Sequence, residues 1–74
     1  MKTITISVMS QWIGEDQQRE LELSLANEPS IKDFVFNEEG DLEATFQYDS
    51  QESLIRNLCG LKIQLAIRQT AEAA

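Results

Sequence analysis

The sequence predicts an α+β sandwich, a four-stranded antiparallel sheet with two helices on one face, in the order β-α-β-β-α-β. Three observations predict it. Apolar and polar residues alternate near both ends of the chain, at Thr3–Met9 and Leu61–Arg68, which is the period of a half-buried strand. Between them, Glu15–Glu28 contains no β-branched residue and is rich in the Glu, Gln, Arg, Leu and Ala that favour helix. Two further apolar runs flank the segment NEEGD, Asn37–Asp41, a hairpin loop in which Gly40 can take a positive φ.

The elements follow in chain order. In the first strand Ile4, Ile6 and Val8 point one way and Thr3, Thr5 and Ser7 the other. Gly14 breaks that pattern. Glu15 and Asp16 then stand where a helix N-terminus welcomes negative charge, and Pro29 ends the helix by pushing its predecessor out of the α region. A rival signal runs through the same segment, because Leu21, Leu23 and Leu25 alternate with Glu20, Glu22 and Ser24. Read as a strand, it would pair with residues 3–13 around GEDQ and give a five-stranded, mostly antiparallel sheet with one helix.

The second and third strands are Ile31–Phe36 and Leu42–Tyr48. Pairing Phe36 with Leu42 and Phe34 with Ala44 puts these residues on one face, together with Phe46 and Tyr48. A one-residue slip would bury Glu43 instead. Ile31 falls out of step with Phe34 and Phe36, so a bulge is expected near Lys32 and Asp33. Asp49 or Ser50 caps a stubby second helix with Leu54, Ile55 and Leu58 as its apolar stripe and Gly60 at its C′ position. Leu61, Ile63, Leu65 and Ile67 then point inward from a fourth strand, with Lys62, Gln64 and Arg68 on the open face. The domain spans residues 1–70, and residues 71–74 are read as a frayed tail.

Composition narrows the function. Thirteen acidic against six basic side chains give a net charge of −7, which opposes binding to phosphate backbones and to anionic membrane surfaces. The chain has no histidine, which removes Ser-His-Asp and Cys-His machinery and every imidazole metal site. A single cysteine rules out an internal disulfide framework. The apolar runs are far short of the roughly 20 residues needed to cross a bilayer, and the N-terminus lacks a secretory h-region. The expectation is a cytoplasmic, non-enzymatic domain without a cofactor, binding neither nucleic acid nor membrane.

The segment PSIKDFVFNEEGDLEATFQYD, Pro29–Asp49, resembles the central segment of the heavy-metal-associated domains. There a turn ends the first helix, an apolar strand leads into an Asn-containing hairpin, and a Tyr-Asp pair closes the third strand. Leu21 and Leu25 also fall where that family has aliphatic residues in its first helix. The resemblance implies a ferredoxin-like fold and a carrier of soft metals, often copper, that passes its cargo between partner domains. The family grips the metal with two cysteines before the first helix. Counting back from Pro29 puts Gly14 and Gln17 at those positions, with Trp12 at the preceding Met; counting forward from the first strand puts Gln11 and Gly14 there, with Met9 at the Met. Neither register supplies a thiolate, so no metal ligand is assigned.

Other candidates have plain structural roles. Cys59 is expected to pack, as free cysteines usually do. Asn37, Glu38, Glu39 and Asp41 cluster oxygens around Gly40, but five residues lack the spacing of a twelve-residue calcium loop. The remaining candidate is the junction SQWIGED. Trp12 and Ile13 are large apolar groups beside Glu15, Asp16 and Glu20, and tryptophan is enriched at binding hot spots. The loop reads as a contact site for another protein, with a basic one fitting the acidic surround; the competing reading folds Trp12 over the first helix as part of the core. The function expected is a small acidic interaction or regulatory module, with pairing into a homodimer through an edge strand as one form of it. The alternatives are a metal or small-ligand carrier that has lost its thiolate site, and an acidic mimic of nucleic acid.

Overall fold

The computed structural model describes residues 1–8 and 13–73 of the chain. The elements are β1 (Lys2–Ile6), α1 (Glu15–Ala26), β2 (Asp33–Phe36), β3 (Leu42–Phe46), a 3-10 turn (Asp49–Gln51) and α2 (Glu52–Ala73). The sheet has the order β1-β3-β2 with both pairings antiparallel. β1 and β2 therefore run the same way on either side of β3, joined through α1 as a split β-α-β unit.

The central hairpin forms as its sequence requires. Phe36 pairs with Leu42 and Phe34 with Ala44, so Leu42, Ala44 and Phe46 are wholly buried and Glu43 turns to the open face. Gly40 adopts φ 83° at the hairpin tip, a region closed to most side chains. Asn37 fastens the tip: its Oδ1 accepts from the amides of Glu39 and Asp41 at 2.9 and 3.0 Å. The expected bulge is present too. The Lys32 amide donates to the Thr45 carbonyl at 2.8 Å, although Asp33 is the residue paired with Thr45. Two residues thus oppose one, and the extra step lets Ile31 turn into the core.

Glu15–Ala26 is a helix, and both the rival hairpin and the five-stranded sheet are corrected. The decisive pair is Leu21 and Leu25, one helical turn apart and both buried, whereas Leu23 is 58 % exposed. Burying a face at i and i+4 requires only helical spacing, and leaving one leucine in water costs less than leaving two.

The larger correction concerns the C-terminal third. Residues 61–68 are not a strand, and α2 is not stubby but runs from Glu52 to Ala73. The ferredoxin-like four-stranded topology is therefore not formed; among the described residues the sheet has three strands. Gly60 does not stop the helix, because it keeps an ordinary negative-φ conformation. No proline follows Pro29, so nothing interrupts the helix from Glu52 onward. Ile55, Cys59, Ile63 and Ala66 lie one turn apart along α2 and are all buried, in a single cluster with Ile4, Leu42, Ala44, Phe46, Leu21 and Leu25. A two-turn helix would have left much of the sheet uncovered, and the helical reading covers it with one continuous stripe. In consequence Leu61 and Leu65, expected inside, are 68 % and 50 % exposed, and Tyr48 is also exposed at 59 %. Lys62, Gln64 and Arg68 do not belong to the open sheet face.

Candidate interaction surface

The two helices form a layer whose inner side covers the sheet and whose outer side faces solvent. They run antiparallel, as two contacts between them show. The Gly14 amide, just before α1, donates to Thr70 Oγ1 near the end of α2 at 2.9 Å, and Thr70 donates in turn to the Ala66 carbonyl. Midway, Lys62 Nζ donates to Ser24 Oγ at 2.6 Å. Between these ties lies a shallow groove of about 160 Å³ bordered by Gln17, Glu20, Ser24, Lys62, Leu65 and Gln69.

The outer side of α2 carries a line of leucines. Leu54, Leu58, Leu61 and Leu65 follow one another at steps of four, three and four residues, the spacing at which helices seat against other helices. Three of them are half exposed or more. Charge is divided between the helices in the same layer. α2 holds Arg56, Lys62 and Arg68 with acids only at its ends, Glu52 and Glu72, whereas α1 holds Glu15, Asp16, Glu20 and Glu22 against Arg19 alone. Leu23 stands exposed on the outer side of α1, within that acidic surround.

The residues of the expected contact loop are only partly placed. Trp12 lies outside the described residues. Ile13 is half-buried: it packs against the core and also borders a surface depression with Glu15. Glu15, Asp16 and Glu20 are all exposed on α1, and Asp16 Oδ1 lies 3.6 Å from Arg19. The leucine line on α2 was not among the expected site residues. Its signal was present as the four-three-four spacing, but it was masked because Leu61 and Leu65 also alternate with Lys62 and Gln64.

Elsewhere polar groups are occupied by structure. Asp41 Oδ1 accepts the Val8 amide at 3.0 Å, tying the hairpin to the end of β1. Glu52, the first residue of α2, receives Lys2 at 2.6 Å and Arg56 at 3.2 Å. Hydrogen bonds from those two cations hold the Glu52 carboxyl below its ordinary range, and the Glu52 bond raises Lys2. Cys59 is buried in the core, and burial pushes its thiol up; a neutral thiol is a poor metal ligand. Among the described residues no group of three or more acidic or cysteine side chains is placed to hold a metal ion, and no helix is long and apolar enough to cross a membrane.

Among the described residues the outer edges of β1 and β2 are further surfaces with backbone groups turned away from the sheet. The Asn37 amide donates to the Asp41 carbonyl, which turns residues 41, 43 and 45 toward β2 and residues 42, 44 and 46 toward β1. Through the register this leaves the backbone groups of Thr3 and Thr5 directed away from β3.

No family model, no curated protein and no solved structure matches this chain.

Proposed function

We propose that this chain is a small acidic, non-enzymatic protein-interaction module that docks through the outer side of its helical layer. The observation that carries the reading is the leucine line, with Leu54, Leu61 and Leu65 exposed by 57, 68 and 50 % on one face of one helix. Each of these leucines forgoes part of the about 1.5–3 kcal/mol that full burial brings, so three in register favour a surface covered in use. The acids of the expected contact site, Glu15, Asp16 and Glu20, border the same layer and give it a charged rim, as interaction surfaces commonly have. The carrier reading suggested by the metal-binding resemblance has less support, since the one thiol is in the core and serves packing.

The test is capture from the source cell with wild type, Leu61→Glu and Trp12→Ala as parallel baits. Proteins retained by wild type and lost with Leu61→Glu support docking through α2, and loss with Trp12→Ala as well extends the surface into the preceding loop. Equal retention by all three baits defeats the reading.

A further inference from the structure

We infer that the occupant of this surface is a second copy of the same chain, packed helical layer on helical layer with each α2 lying over the partner's α1. The inference rests on the docking reading given above and goes on to identify the partner. Its basis is that the layer is complementary to itself in charge and in shape.

Two symmetric ways exist to stack a pair of antiparallel helices on a copy of itself. In one, α2 covers α2 and α1 covers α1. Leucine then meets leucine, but the three cations of residues 53–71 face the same three, and the four acids of α1 face four acids. Like charges brought together at an interface are strongly disfavoured. In the other, the two-fold axis runs along the helices and each α2 covers the partner's α1. Lys62 and Arg68 then lie over the acid-rich α1 of the partner on both sides of the axis, as a self-complementary contact requires, while Arg56, held by Glu52, falls beyond the end of α1.

The levels of the helices also match. Within one chain the start of α1 lies beside Thr70 and Ser24 beside Lys62. An axis parallel to the helices preserves those levels across the interface. Arg68 therefore falls opposite Asp16 of the partner subunit, and Leu61 and Leu65 fall on either side of Leu23 of the partner subunit. The exposed leucine of α1, Leu23, thus meets the exposed leucines of α2. The overlap runs the length of α1, about 18 Å at 1.5 Å per residue.

The experiment is sedimentation equilibrium of the full chain over a wide concentration range, with circular dichroism to confirm that each variant is folded. Wild type is expected to form a dimer, and Leu61→Glu to weaken it by about tenfold or more. Arg68→Glu and Asp16→Arg should each weaken it, and the two together should restore much of the loss, which a merely structural effect would not do. A wild type that stays monomeric overturns the inference; if it then binds an acidic amphipathic peptide through Leu61, the docking reading survives with another protein as partner. A dimer indifferent to Leu61→Glu but broken by Thr5→Pro also overturns it, because the contact would then be the β1 edge.

Discussion

The two sides of α2 are built from similar material and treated oppositely. On the inner side Ile55, Cys59, Ile63 and Ala66 are at most 5 % exposed; on the outer side Leu54, Leu61 and Leu65 are at least half exposed. The inner set includes the small Cys59 and Ala66, which let the helix approach the sheet and α1 closely. The outer set consists entirely of leucine, the longer and more projecting side chain. Hydrophobicity alone does not place a residue in the core; shape and available neighbours do. The difference separates residues that hold the fold together from residues free to hold something else.

Substitutions on the two sides should therefore part sharply. The largest effect is expected from Ile55→Ala, which removes a wholly buried side chain from the core cluster and should cost about 2–5 kcal/mol in denaturant unfolding. A loss below about 1 kcal/mol would mean the inner stripe is not the core described. Next comes Gly60→Ala. Gly60 sits inside α2 with ordinary φ, and an added Cβ meets nothing within 4 Å. The monomer should gain about 0.5–1 kcal/mol, because glycine is the weaker helix former; a destabilised variant would argue that the helix breaks there. Smaller still is the effect of Leu61→Glu on monomer stability, expected within about 0.5 kcal/mol for an exposed site, while association falls. Equal losses of stability for Leu61→Glu and Ile55→Ala would erase the distinction between the sides.

The smallest effect concerns how α2 is anchored at its start. The Glu52 carboxyl is lowered in the folded chain, so its contribution is present above its unfolded value and is lost as pH falls through the folded one. Lys2 is raised, so its contribution is present below its unfolded value and is lost as pH rises through the folded one. The pair should favour the fold between these limits and fade on either side. Glu52→Gln should flatten the acid side of the stability profile followed by thermal melting; an unchanged profile would show that the ion pair is only decorative, as many exposed pairs are.

Two regions with the same alternating pattern explain what could be read in advance and what could not. In Leu42–Phe46 the alternation comes with Thr45, Phe46 and a glycine turn before it, and pattern, composition and turn chemistry agree. That agreement fixed the register, the bulge and the inward set of the hairpin as far as Phe46, while Tyr48, expected inside, is exposed. In Leu61–Ile67 the alternation comes with Lys62, Gln64 and Ala66, which favour helix, and the apolar residues also match a helical period. Ile63 and Ala66 were needed inside and Leu61 and Leu65 were not. A period of two and a period of three and a half cannot be told apart over so few residues. The same ambiguity hid the leucine line, since its members were read as the buried half of a strand. The acids of α1 were legible as exposed because nothing in their surroundings could bury a carboxylate unpaired.

By itself, the sequence determined the local decisions: a turn that needs Gly40, a helix that needs Pro29 to end it, a hairpin register that keeps Glu43 out of the core, and a chemistry without imidazole. Each depends on residues close together in the chain. Only the tertiary structure decided that the last third would cover the sheet and not join it. That choice turns on total apolar burial, which is a sum over distant residues: a three-stranded sheet under a long helix satisfies Ile4, Leu42, Ala44 and Phe46 together, and no short window of sequence contains them all.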